Sequence, residues 1–240
     1  MMNKSILLMG TLLVSTFVEI AAQKNSENPN IIFVLADDMG IGDLGCYGQK
    51  KIKTPNIDKL AEKGVLFTNH YSGSTVSAPS RCSLLTGKHT GHAYIRGNKG
   101  IKSEEGFFDL HLPSDEVTVA EILKRKGYAT MCVGKWGLGG PHTTGSPVRK
   151  GFDYFFGYLS QGAAHRYYPE YLYENEDKVM LNKKVYSHFL IMEKGLDFIR
   201  KMPDIPFCLF AITPPHADLD YPDLSQYEDA FPETPYINNK

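Results

Sequence analysis

Ser77 is the residue placed best to do chemistry in this 240-residue chain. It opens the run Ser77-Ala78-Pro79-Ser80-Arg81-Cys82-Ser83-Leu84-Leu85-Thr86-Gly87. Pro79 is read as the N1 residue of a helix, and Gly87 as its stop. A helix N-terminus favours anions, so alkoxide-like charge on a serine oxygen would be stabilised there. A serine at such a place also serves as a plain N-cap. Arg81 lies four residues on, about one turn, and is predicted to face back toward Ser77. No Gly-x-Ser-x-Gly elbow surrounds Ser77, so a Ser-His-Asp hydrolase is poorly supported.

Three other positions carry candidate chemistry. Asp37-Asp38 follows the apolar run Asn30–Ala36 and offers adjacent carboxylates. Hard divalent cations take such oxygen ligands, although paired aspartates also form turns and caps. Lys135 stands within Gly134-Lys135-Trp136-Gly137-Leu138-Gly139, beside the chain's single Trp. An ammonium there could neutralise a sulfate or phosphate as a point charge. His216, in Thr213-Pro214-Pro215-His216, is a candidate general acid or anion donor. His70, His89, His92 and His142 cannot be interpreted singly.

The elements that must position these groups follow from pattern. Asn30–Ala36 reads as a central parallel strand. A helix is predicted from Thr54-Pro55, with Ile57, Leu60 and Ala61 inward and Gly64 as its stop. Val65–Tyr71 reads as the next strand. A helix over Val117–Lys126 places Val119, Ile122 and Leu123 inward. Tyr128–Val133 reads as a strand, Tyr186–Met202 as a helix and Pro206–Ile212 as a strand. The alternation predicts an α/β domain with a largely parallel central sheet flanked by helices. Asp37, Asp38, Ser77, Lys135 and His216 then follow four strand ends, where open α/β sheets bind ligands. The Gly-rich, aromatic stretch from Gly137 to about Asn182 is read as an active-site rim, with a short hairpin as an option.

Composition bounds the rest. With 42% hydrophobic residues the chain can bury one sizeable core, and its net charge of −1 argues against nucleic acid as a partner. Residues 1–22 read as a signal peptide. Lys4 supplies the positive charge, Ile6–Val18 the apolar region and Ala21-Ala22 the cleavage site. The apolar run is shorter than a spanning helix needs. Export machinery is therefore an expected partner, and a periplasmic or extracellular location is expected. Cys132 and Cys208 sit in strand-like runs and read as buried free thiols.

Taken together, residues from about Pro29 to the end resemble the N-terminal catalytic part of a type I formylglycine-dependent sulfatase. This is the Ser-type, arylsulfatase-like or bacterial carbohydrate-sulfatase kind, within the alkaline phosphatase-like superfamily. The Ser77–Gly87 motif carries most of the resemblance. Asn30–Asp38, Thr54-Pro55-Asn56-Ile57-Asp58 and Gly134-Lys135-Trp136 add to it.

The resemblance implies that a radical-SAM maturase oxidises Ser77 to formylglycine before export. One hydroxyl of the hydrated aldehyde attacks sulfur, and the second later expels sulfate. It implies Ca²⁺, with Mg²⁺ as the alternative, bound by Asp37, Asp38 and the Ser77-derived oxygen. Arg81 would hold the formylglycine, Lys135 the sulfate, and His216 the ester oxygen. Arg96, Asn98 and His165 are the expected contacts to a sulfated carbohydrate.

Two departures stand out. Many family members carry His where this chain has Gly137, so either His142 or another residue assists sulfate release, or this subfamily works differently. Family members are also about twice as long, and supply an Asp-Asn ligand pair, another Lys and a C-terminal subdomain. A truncated chain with little activity of its own is the expectation, and robust turnover by the purified 240 residues would refute it. Two alternatives stay open: a phosphatase or phosphodiesterase using unmodified Ser77, and a non-catalytic binder of sulfated glycans.

Overall fold

In a computed structural model, the described residues are 28–213, apart from 104, 105 and 203, together with residue 225. The expected signal peptide and His216 lie outside them. Among the described residues, eight strands form two sheets. They are β1 (Ile31–Leu35), β2 (Gly100–Ser103), β3 (Gly106–Asp109), β4 (Ala129–Lys135), β5 (Tyr154–Tyr158), β6 (Tyr171–Glu174), β7 (Asp177–Met180) and β8 (Phe207–Ile212). The α-helices of the described residues are α1 (Pro55–Lys63), α2 (Ser77–Thr86), α3 (Val119–Arg125) and α4 (Ser187–Lys201).

The main sheet has the order β1-β8-β4-β5-β6-β7, with a separate β2–β3 hairpin. β1, β8, β4 and β5 run parallel; β6 pairs antiparallel with β5, and β7 antiparallel with β6. Period-two alternation sends successive residues of β4 and β8 to opposite faces. Met131, Val133, Phe207 and Leu209 pack with Ile191 and Phe198 of α4. Cys132, Cys208, Phe210 and Ile212 pack on the other face with Ala78, Cys82 and Leu85 of α2 and Ala120 of α3. Both faces of β4 and β8 are covered, which is why these two read as continuous apolar runs. β1, expected to be central, instead ends the sheet among the described residues, with Ile32 and Val34 exposed.

Several expectations need correction. Val65–Tyr71 is not a strand. β1 pairs on one side only among the described residues, and this segment stays irregular, with Val65, Phe67 and Tyr71 exposed. Its β-branched and aromatic composition mimics a strand, but it joins no ladder of the described residues. Ile57 and Leu60 of α1 are exposed too. That helix is fixed instead by Asp58, whose Oδ1 accepts from Cys46 N at 2.7 Å and from Thr54 Oγ1 at 3.0 Å. In α3, Ile122 is half exposed and the short Ala120 faces the core.

β5 lies inside the stretch read as an irregular rim. Its sequence is broken by Gly157, a signal of a loop that here serves close packing. A Cβ at Gly157 would lie 2.0 Å from the Gly134 carbonyl oxygen. The suggested hairpin in that region is β6–β7. No helix of the described residues is long and apolar enough to cross a membrane.

All four cysteines are free, and Cys82, Cys132 and Cys208 are buried. Burial raises all three thiol pKa values, that of Cys208 to about 11. Thiolate is the reactive form. Iodoacetamide at pH 8 should therefore label Cys46 in the native protein and leave the other three until denaturant is added. Native labelling of Cys132 at the rate of Cys46 would contradict this core.

Candidate functional site

The site forms where β1, β8 and β4 end. The chain leaves β1 at Leu35, and Asp37 N donates to Thr213 Oγ1, just past β8, at 2.9 Å. Thr213 N in turn donates to Leu35 O at 2.9 Å. This clip fixes the Asp37 backbone against the neighbouring strand. Asp38 adopts a left-handed backbone with φ 60°, a conformation Asp tolerates better than most residues. Lys135 is the last residue of β4 and is 2% exposed. Its Nζ donates to Asp37 Oδ2 at 2.6 Å across β8.

Ser77 comes from the first turn of α2 and not from a strand end, because the expected strand before it is absent. Val76 is the N-cap, so Ser77 occupies N1 and Pro79 N3. Pro79 costs nothing there, since first-turn N–H groups lack intrahelical partners. The Ala78 N–H finds one in Asn98 Oδ1 at 3.2 Å.

Three polar side chains converge on the Ser77 hydroxyl. It lies 3.0 Å from Asp37 Oδ2 and 3.2 Å from Asp37 Oδ1, to which it donates. It accepts from Lys135 Nζ at 3.1 Å and from Arg81 Nη1. Arg81 is 1% exposed. Its Nε donates to Trp136 O at 2.7 Å and its Nη2 to Gln161 Oε1 at 2.7 Å. The guanidinium is thus aimed by three fixed acceptors. Burial lowers the Arg81 pKa to about 10, opposed by Asp37 and Asp109, so it stays charged at neutral pH. Burial also lowers Lys135, opposed chiefly by its hydrogen bond to Asp37. Two cations at one oxygen favour its ionised form and any anion bound beside it.

These groups line a cavity of about 650 Å³ that also includes Asp38, Asn98, Asp109, Gln161 and His165. Of the expected carbohydrate contacts, Asn98 and His165 therefore face the same space as Ser77. Arg96 does not line it, and donates from Nε to Ala93 O at 3.1 Å. His142 lies elsewhere, with Nδ1 3.1 Å from Glu176 Oε2. Asp37 and Asp38 have the donor chemistry of a hard-cation site, but among the described residues no group of three or more His, Cys, Asp or Glu converges to hold a metal.

Gln161 and Asp109 escaped the sequence reading. Gln161 Nε2 donates to Asn98 Oδ1 at 3.0 Å, and its backbone N donates to Asp109 Oδ2 at 2.6 Å. One amide side chain thereby links the Arg81 guanidinium to the group that satisfies the α2 N-terminus. Burial raises the Asp109 pKa, against the Gln161 N–H and the charges of Arg81 and Lys135. Gly137 explains why Gln161 fits. It has φ +64°, and a Cβ there would lie 2.3 Å from Gln161 Cγ and 2.7 Å from Arg81 Nη2. The position where a His was expected is therefore left open for Gln161. A Gln far from any motif gives no local signal, although the unexpected Gly137 marked the space it fills.

The chain is similar to known sulfatases in both sequence and structure. The family model described as Sulfatase matches residues 29–239. An N-acetylgalactosamine-6-O-sulfatase of Bacteroides thetaiotaomicron is 48% identical over 142 residues, covering 55% of this chain and 27% of that protein. Human arylsulfatase A is 44% identical over 130 residues, covering 54% and 25%. Among solved structures, one from work on glycosaminoglycan metabolism by Bacteroides thetaiotaomicron superimposes with TM-score 0.67 at 31% identity, covering 82% of this chain and 52% of that one. Another, solved with its substrate D-glucosamine-2-N,6-O-disulfate, gives TM-score 0.61 at 30% identity, covering 79% and 35%. The chain thus spans about a quarter of the curated relatives' length and at most about half of these structures.

Gly137→Ala should destabilise the protein by at least about 1–2 kcal/mol, from the left-handed backbone alone. Adding Gln161→Gly should recover part of any further loss, because it removes the clashing side chain. Urea unfolding of the two single variants and the double variant measures this, and additive losses would contradict the coupling.

Proposed function

Because the chain belongs to the sulfatase family, we propose that its Ser77 site hydrolyses sulfate esters of carbohydrates. The observation that carries this reading is the Ser77 oxygen, held at once by Arg81, Lys135 and Asp37 in a cavity wide enough for a sugar. A sulfate ester develops negative charge on its oxygens as the S–O bond breaks. Lys135 and Arg81 are placed to meet that charge without reorganisation. Asp37 directs Lys135 and opposes the effect of burial on its charge, and Asn98 and Gln161 hold the α2 turn that presents Ser77.

Ser77 is proposed to be converted to formylglycine by a radical-SAM maturase, and the protein to be exported to the periplasm or beyond. The hydrated aldehyde would supply a stronger oxygen nucleophile than a serine hydroxyl. Asp37, Asp38 and the Ser77-derived oxygen are proposed to hold Ca²⁺ or Mg²⁺. Such an ion would add positive charge beside the sulfate. His216 is proposed as the donor to the leaving oxygen. The likeness to an N-acetylgalactosamine-6-O-sulfatase directs the first substrate tried to 6-O-sulfated N-acetylgalactosamine.

The test is sulfate release by protein isolated from its native host, with and without a chelator. Release should fall on chelation and be absent in Ser77→Ala. Lys135→Ala should lower it by roughly 10²–10³-fold, as when one charge-stabilising donor is lost. Hydrolysis of phosphate esters with no sulfate release would overturn the reading.

A further inference from the structure

A second cavity, of about 610 Å³, adjoins the first. Asp109 lines both. Gln161 and Gly162 line the first, while Ser160 and Ala163 line the second, so this segment forms part of the wall between them. The described lining of the first cavity holds no Phe, Tyr or Trp. The second brings Tyr171 and Tyr173 together with His142, Ser160 and Lys178.

The aromatic wall is built and not incidental. Tyr171 and Tyr173 stand at alternate positions of β6 and so share a face. Their rings are 5.5 Å apart at 90°. Lys178, paired with Tyr173 across the β6–β7 hairpin, places Nζ 4.2 Å from the Tyr171 ring centroid and pins that ring. His142 is held by Glu176 through both Nδ1, at 3.1 Å, and the backbone N–H, at 3.0 Å. Aromatic surface with a few placed polar groups is the ordinary composition of a small-molecule site. The C–H face of a pyranose packs on a tyrosine ring, and its hydroxyls can pair with carboxylate, hydroxyl, imidazole and ammonium groups.

We propose that this second cavity binds the sugar ring next to the sulfated one, so that the preferred substrate is an oligosaccharide and not a sulfated monosaccharide. The proposal rests on the sulfatase reading of the Ser77 site. It assigns the β6–β7 hairpin to substrate selection.

The experiment compares kcat/KM for N-acetylgalactosamine 6-sulfate and for a disaccharide carrying that sugar, with variants introduced at the gene in the native host. The disaccharide should be preferred by about tenfold, mainly through KM, a size fitting one aromatic contact plus hydrogen bonds. Tyr171→Ala should bring the ratio near one, and Tyr171→Phe should restore it, which separates ring contact from misfolding. Equal kcat/KM in the wild type, or a preference untouched by Tyr171→Ala, would overturn the proposal. Turnover of an aryl sulfate reports separately on the sulfatase reading. If no ester turns over, saturation-transfer NMR with the same disaccharide decides the matter. Contact from the unsulfated ring that is lost in Tyr171→Ala supports the subsite, and contact confined to the sulfated ring, or none, overturns it.

Discussion

Two buried cations share one hydroxyl, and the surrounding fold has to make that arrangement tolerable. Arg81 and Lys135 are both almost fully removed from solvent. An unpaired charge in such a place would cost several kcal/mol. Each is therefore supplied with acceptors: Trp136 O and Gln161 Oε1 for Arg81, and Asp37 Oδ2 for Lys135. The Ser77 oxygen is the point where the two sets meet. Positive charge is thus stored, in fixed geometry, at a spot open to the cavity. A sulfate group arriving there would complete the neutralisation.

Sheet order makes this geometry attainable. β8 inserts between β1 and β4, so Asp37 and Lys135 approach from strands on either side of it. The Thr213 clip ties the β1 exit to the β8 exit. α2 packs Ala78, Cys82 and Leu85 into the same core, which sets the height of its first turn. The Gly137–Gln161 fit then locks the last free side of the guanidinium.

Much of this was legible in the sequence. The apolar runs of β1, β4 and β8 marked a parallel sheet, and the polar residues just after β1 and at the end of β4 marked its functional edge. The Ser77–Arg81 spacing correctly placed the guanidinium back on the serine. What failed, failed for physical reasons. Val65–Tyr71 has strand-like residues, but composition alone does not place a segment in a ladder. Ile57 and Leu60 form a helical stripe that stays largely exposed among the described residues, at 41% and 72%. β5 was hidden because Gly157 is required by close backbone contact with Gly134, and local pattern reads such a glycine as a loop. Gln161 acts through contacts 80 and 63 residues away, with Arg81 and Asn98, which no spacing rule reaches.

The account turns on the chemical state of Ser77. Peptide mass mapping of protein from its native host, on the tryptic peptide Gly64–Arg81, tests it most directly. The account predicts the loss of two hydrogens at Ser77 and capture of the product by an aldehyde-directed reagent. An intact serine in native, correctly folded protein would contradict it.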